Sequence, residues 1–231
     1  MKILIVADEE YMGYSDYYVP GRLKPYQLIL SGGDLKADYL SFMVTMARCP
    51  LMYVHGNHDD NYEENPPEGC DSIDDKLVVY RGLRILGLGG SSPYCRGKFQ
   101  YTEKQMRKRI RNLKKAIEMV GGVDVVLSHA APRGVGDWDD PSHQGFEAFL
   151  ELIDTYHPKY LFHGHVHLSY GHNIQRVREY HGTKVINCCE RFELDYEFPL
   201  EYQPLSKIKR LYCRLFLKNL QYPKQCLNIL R

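Results

Sequence analysis

Lys159-Tyr160-Leu161-Phe162-His163-Gly164-His165-Val166-His167 joins a short apolar run to a tip crowded with histidine. The run reads as a β-strand. On an extended backbone, two histidines two residues apart turn their imidazoles to the same side. Neutral imidazole is the commonest metal ligand among side chains. A strand that closes on donor side chains belongs in an α/β sheet, where sites collect at the carboxyl ends of the strands. The stretch therefore sets a test for the rest of the chain: other strands must end in Asp, Asn or His.

They do. Lys2 to Ala7 is an apolar run that stops at Asp8-Glu9-Glu10. Gln27-Leu28-Ile29-Leu30 leads into Ser31-Gly32-Gly33-Asp34, and Leu51-Met52-Tyr53-Val54 into His55-Gly56-Asn57-His58-Asp59-Asp60. Val123 to Leu127 ends at Ser128-His129-Ala130. Helical periodicity separates these runs. It predicts a helix over 35–47 with Leu40, Met43, Val44 and Ala47 on one face, stopped by Pro50. A second helix opens at the capping box Thr102-Glu103-Lys104-Gln105 and runs to about Val120, burying Met106, Ile110, Leu113 and Ile117. A third covers 144–156. Hairpins are expected around Arg81-Gly82, between Leu77–Tyr80 and Leu83–Leu88, and around 179–183, before a strand over 184–188. Residues 61–76 read as an acidic surface loop. Residues 11–26 read as a long loop over the site, with Tyr11, Tyr14, Tyr17 and Tyr18 as a wall beside it.

In chain order the polar tips are Asp8, Asp34, Asn57-His58, His129 and His165-Val166-His167. Mixed carboxylate and imidazole donors suit Mn²⁺, Fe or Zn²⁺, and the hard oxygens favour Mn²⁺. The donors exceed what one tetrahedral ion takes, so two ions about 3.5–4 Å apart are expected, with one carboxylate bridging them. Glu9 reads as a solvated loop residue.

Composition narrows the setting. The chain has 231 residues, a net charge of +1 and 44% hydrophobic residues, which suits one sizeable core. The charge argues against a whole-protein commitment to nucleic acid or membrane. No run approaches the roughly 20 apolar residues of a membrane span, and the first apolar run is too short for a signal peptide. Seven scattered cysteines fit reduced thiols in a cytoplasmic protein better than a disulfide framework. The vicinal Cys188-Cys189 reads as buried structure.

The ordered set Asp8, Gly33-Asp34, Gly56-Asn57-His58-Asp59, His129 and Gly164-His165-Val166-His167 resembles the calcineurin-like metallophosphoesterases over roughly residues 1 to 190. The resemblance implies a four-layer α/β/β/α sandwich with a dinuclear centre at one end. It implies that Asp34 bridges the two metals, that Asn57, His129 and His165 hold one, and that Asp8 and His167 hold the other. His58, oriented by Asp59, faces substrate. A hydroxide bridging the metals attacks phosphorus in line, and His58 assists the leaving group. One motif departs from the family: its usual Asp-x-His is here Asp8-Glu9-Glu10, with a carboxylate at position 10. Glu10 can ligate Mn²⁺ or Fe in place of the imidazole, or swing away.

The remaining residues carry less. His55 reads as a plain loop residue. His163 either lines the site or is structural. His143, His157, His172 and His181 are taken as structural or exposed, and Arg133 as a possible phosphate clamp. The basic face of the second helix reads as a solvated face in preference to a nucleic-acid patch, since no aromatics interleave with it. The domain is expected over 1–200. Beyond it, 201–231 forms a basic, partly helical appendage that packs on the domain or makes a homodimer. The leading function is hydrolysis of a small phosphoester. A non-catalytic metal-binding scaffold and a nuclease stand as alternatives.

Overall fold

A computed structural model describes residues 1–171 and 174–198 and the backbone of 220–221. Two sheets face each other. In the first, β1 (Lys2–Val6), β2 (Leu28–Ser31), β3 (Leu51–Tyr53) and β4 (Asp71–Ser72) run parallel, and β11 (Phe192–Asp195) pairs antiparallel with β1. In the second, β6 (Leu83–Leu88), β7 (Val125–Ser128), β8 (Tyr160–His163) and β10 (Thr183–Asn187) are parallel. β5 (Lys76–Tyr80) is antiparallel to β6 and the edge strand β9 (Val177–Tyr180) to β10, and β12 (Leu220–Gln221) pairs in parallel with β5.

Side-chain alternation explains why the sheets stack. Ile3, Ile5, Leu28 and Leu30 meet Val78, Ile85, Leu127 and Phe162 between the two sheets. The opposite faces are covered by helices. Leu4, Val6 and Ile29 pack against Leu40 and Met43 of α1 (Ala37–Ala47). Leu86, Val126 and Leu161 pack against α2 (Glu103–Val120) and α3 (Glu147–Tyr156). This is the expected four-layer α/β/β/α sandwich. The parallel pairing of the strands that carry polar tips sets those tips at one end.

Local chemistry fixes several boundaries. Thr102 Oγ1 accepts from the Gln105 N–H, and Gln105 Oε1 from the Thr102 N–H, which completes the capping box. Arg81 (φ 49) and Gly82 (φ 97) are both left-handed, as a two-residue turn matching the strand twist requires. The third helix begins at Glu147, later than 144. Phe146 is held extended by a bridge to Pro132, and the Glu103 carboxylate caps the N–H groups of Glu147 and Ala148.

Other expectations change. The segment 61–76 is more than a surface loop, since it contributes β4 and the fully buried Ile73. The edge strand β11 has no clear mark in the sequence. The 11–26 segment lies along the outer face of the first sheet: Tyr14 and Tyr26 are core residues whose hydroxyls meet at 3.1 Å, while Tyr17 is exposed. Arg109, placed on a solvated face by its sequence context, is buried. It reaches Asp75 at 2.7 Å and the Gly89 carbonyl at 2.7 Å, and stacks over Tyr101. Asp74, which pairs with Arg109, also accepts from the His55 N–H at 2.9 Å. His55 is therefore no plain loop residue; its ring pairs with Asp74 and stacks on Phe99. His172 and the basic residues of the tail lie outside the described residues. Among the described residues, no helix is long and apolar enough to cross a membrane.

The loops after β2 and β3 touch at Gly33, which is left-handed at φ 98. A Cβ there would lie 2.2 Å from the Gly56 nitrogen. Gly33→Ala is expected to lower stability by at least about 1–3 kcal/mol from backbone strain alone. Chemical denaturation measures this, and an unchanged midpoint would refute the close approach.

Candidate metal centre

Asp8, Asp34 and His165 share an uncommon backbone. Each is left-handed, at φ 63, 57 and 68, a region that non-glycine residues visit mainly as Asn, Asp or His. Holding them there stores about 1–3 kcal/mol apiece, which the surrounding strands must over-determine. The clamps are visible. The Asp8 N–H donates to the Gly33 carbonyl at 3.0 Å, and the His165 N–H to Asp8 Oδ1 at 2.8 Å. The Gly164 N–H donates to the His129 carbonyl at 3.0 Å. Gly164 is needed because a Cβ there would sit 2.5 Å from Asp8 Oδ2. The left-handed turn at His165 also corrects the extended reading of this stretch. The imidazoles part, His165 turning to His129 and His167 to Glu9.

His129, buried at the tip of β7, is the focus. Its Nδ1–H donates to the Gly32 carbonyl at 2.8 Å, which leaves Nε2 facing inward. Around Nε2 stand Asn57 Oδ1 at 2.9 Å, His165 Nδ1 at 3.1 Å and Asp34 Oδ2 at 3.3 Å. His165 is fixed in the same way, its Nε2–H donating to the Ser142 carbonyl at 2.8 Å, so its Nδ1 lone pair faces that of His129. Two lone pairs at this separation need a cation between them. In the ion-free chain a proton serves. Burial disfavours the charged ring, but Asp34 and Asp8 more than offset this and raise the His129 pKa to about 9. Burial likewise works to raise Asp34, yet His129 and the His58 N–H hold it at about 2. His165 is pushed down to about 3 by burial and by the charge on His129, so it stays neutral.

Asp8 supplies an independent sign. Its Oδ2 is buried with no hydrogen-bond partner, a state that carries a substantial desolvation cost. Burial raises its pKa to about 6, with His129 pulling the other way. An orphan carboxylate oxygen beside convergent imidazole and carboxylate donors fits divalent cations.

The rest of the expected set sits as follows. His58 is exposed, with its N–H bound to Asp34 Oδ1 at 2.8 Å. Asp59 is spent on the loop backbone: its Oδ2 accepts from the Gly56 N–H at 2.7 Å and the Asp34 N–H at 2.9 Å. Glu10 turns to Lys36, with 3.6 Å between charges. Glu9 is the acid that meets His167, Oε1 to Nδ1 at 2.8 Å, so it is more than a solvated loop residue. Donor atoms of Asp34, His129 and His165 form one close group, and those of Glu9, His167 and Cys189 a second. His163 is a core residue that bonds the Gly164 carbonyl, and burial lowers its pKa to about 4. Arg133 Nε binds the Gly145 carbonyl at 2.9 Å.

Sequence reasoning missed several neighbours. Tyr94 Oη accepts from Asn57 Nδ2 at 2.9 Å and orients that amide. His143, held by Asp140 at 2.7 Å, lies with its ring 4.8 Å from that of His165. Only the Asp-x-x-His spacing of Asp140 and His143 hinted at this pairing. Nothing local marked Tyr94 or Cys189.

Comparison with known proteins identifies the family. A family model described as calcineurin-like phosphoesterase matches residues 15–169. That span holds Asp34, Asn57, His58, His129, His165 and His167, whereas Asp8-Glu9-Glu10 precede it and Cys189 follows it. The UPF0046 protein T07D4.2 of Caenorhabditis elegans is 28% identical over 143 residues, 58% of this chain and 34% of that protein. The chain thus spans about a third of the length of this curated relative. The crystal structure of TT1561 of Thermus thermophilus superposes with a TM-score of 0.53 at 17% identity, over 82% of this chain and 89% of that one. A likeness at that identity speaks to the fold alone.

The His129 proton yields a measurable linkage. Its pKa is raised above the ordinary value near 6.5. In the ion-free chain its stabilising contribution is therefore full below about pH 6.5 and lost as pH rises through about 9. An ion entering among the donors must displace that proton. Affinity for the first divalent ion should climb about tenfold per pH unit between about pH 7 and 9. Calorimetry in buffers of different ionisation enthalpy should record about one proton released; no release across this window would contradict the shared-proton geometry.

Proposed function

The chain belongs to the calcineurin-like phosphoesterase family, and we propose that it hydrolyses a small phosphoester at a paired divalent-metal centre. The observation that carries this reading is the convergence of Asp34, Asn57 and His165 on the His129 Nε2, beside the partnerless oxygen of Asp8. Asn57, His129 and His165 would hold one ion, Asp8 and His167 the other, with Asp34 between them. The hard oxygens suit Mn²⁺, and the imidazoles suit Fe or Zn²⁺ equally. Bound there, such ions neutralise an anionic ester and lower the pKa of water toward about 7.

The protein's own groups supply the rest. Asp59 ties Gly56 to Asp34 and so sets the loop that carries Asn57 and His58. The His58 backbone is pinned to Asp34 Oδ1 while its ring stands exposed at the mouth. From there the imidazole can donate to the leaving oxygen, where negative charge grows as the ester bond breaks. Tyr94 and Ser142 fix Asn57 and His165, so these donors are preorganised. Free thiols at Cys49, Cys70, Cys95, Cys188 and Cys189 support a cytoplasmic setting.

Hydrolysis of p-nitrophenyl phosphate and its bis ester, with added Mn²⁺, tests the reading. Turnover of at least one ester is expected, with two ions per chain by elemental analysis. His58→Ala should keep the metal and lose about a hundredfold or more in rate; an undiminished rate removes the role given to His58. No turnover of either ester, with metal well below two per chain, would leave a binding scaffold.

A further inference from the structure

The half of the centre farthest from the family pattern is the one that begins at Asp8. The imidazole expected two residues on is absent, and Glu10 in that position faces Lys36. Another set of donors is assembled in its place. Cys189 follows β10, and the turn that bears it is stitched onto the tip of β1. Ala7 and Cys189 form a parallel bridge, and the Glu190 N–H donates to the Ala7 carbonyl at 2.9 Å. Arg176 Nη2 donates to the Cys189 carbonyl at 2.7 Å. Asn187 serves both sides: its Oδ1 accepts from the Cys189 N–H at 2.9 Å, and its Nδ2 donates to the Val166 carbonyl at 2.7 Å. One buried amide thus holds Cys189 and the His165–His167 turn in fixed relation.

Within that frame the donor atoms of Glu9, His167 and Cys189 all lie within 4.8 Å of one another. The His167 Nδ1–H donates to Glu9 Oε1 at 2.8 Å. The buried, partnerless Asp8 Oδ2 is the second observation; burial, and after it the charge of Asp8, push the Cys189 thiol up to about 12, so without an ion its sulfur keeps the proton. We propose that the second cation of this centre is held by Glu9, His167 and Cys189 together with Asp8, a carboxylate, imidazole and thiolate set that selects Zn²⁺ over Mn²⁺. A thiolate is a soft donor suited to Zn²⁺ and disfavoured by Mn²⁺. On loading, a metal–sulfur bond forms as the S–H bond breaks and that proton leaves to solvent, while the hydrogen between His167 Nδ1 and Glu9 Oε1 moves to the outer nitrogen of the ring and frees both atoms as ligands. The assignment rests on reading the strand tips as a two-ion centre, but not on turnover.

Cobalt reports on sulfur directly. Chelator-stripped protein is titrated with Co²⁺ without oxygen, and the near-ultraviolet absorption is recorded. The expected result is a thiolate-to-cobalt charge-transfer band that saturates at one ion per chain. Cys189→Ser should abolish the band and shift Zn²⁺ against Mn²⁺ competition toward Mn²⁺ by about tenfold or more. Cys188→Ala should keep the band. Since a variant at a buried site can misfold, the unaltered chain loaded with Zn²⁺ is also measured by X-ray absorption, where a sulfur at about 2.3 Å is expected. Full Co²⁺ loading without the band overturns the proposal. So does a zinc shell of oxygen and nitrogen alone, a band that persists in Cys189→Ser, or one lost in Cys188→Ala. Failure of ester hydrolysis with the band present refutes the hydrolase reading and leaves the ligand set standing. Hydrolysis without the band does the reverse.

Discussion

His129 Nε2 faces an amide oxygen, a carboxylate oxygen and a second imidazole nitrogen, all within 3.3 Å, in a fully buried position. Acceptors do not gather like this on their own. Taken from water and set side by side, they repel unless a positive charge lies among them. The proton on His129 supplies that charge in the ion-free chain, and it occupies the place a divalent ion would take. Much of the local structure follows from keeping four strand tips around this point. The Gly32 and Ser142 carbonyls fix the outer ring nitrogens, and Asp59 and Tyr94 fix the loop and the amide.

Such a focus needs rigid support. The donors come from positions as far apart in sequence as Asp34 and His165, and several sit in left-handed backbone that would relax if freed. The sandwich provides the resistance. Its inter-sheet core and two helix-facing cores bury nearly all of β1, β2, β7 and β8, so their tips cannot drift independently. The Asp74–Arg109–His55 network does the same for β3 from the side of α2. Buried charge of this kind adds little net stability; its effect is to fix where the Asn57 loop lies.

The two donor groups, around His129 and around His167, differ in kind. The His129 half contains oxygen and nitrogen donors, each oriented by a bond to backbone or side chain. The other half brings Glu9 and the Cys189 sulfur to His167, while Glu10 is drawn off by Lys36. The carboxylate at position 10 takes the lysine as its partner, outside the cluster. On the assignment proposed above, Glu9 and Cys189 would supply oxygen and sulfur to the second ion.

Local physics made much of this legible in the residue order. Apolar runs closing on Asp8, Asp34, Asn57, His129 and His165 mark strands with functional tips, because alternation and turn chemistry act over a few residues. The capping box at Thr102 and the Arg81-Gly82 turn are equally local. The sheet partners were not legible: β4 and β11 are short edge strands that exist only because β3 and β1 present free hydrogen-bonding groups to them. Nor were the choices made by side chains far apart in sequence. Whether Glu9 or Glu10 turns inward depends on His167 and Lys36; the burial of Arg109 depends on Asp74 and Asp75; the place of Cys189 depends on a bridge to Ala7. Residue types and spacing along the chain determined which atoms were available as ligands. Only the packing of two sheets decided which of them meet, because each contact joins strands whose relative position no local interaction sets.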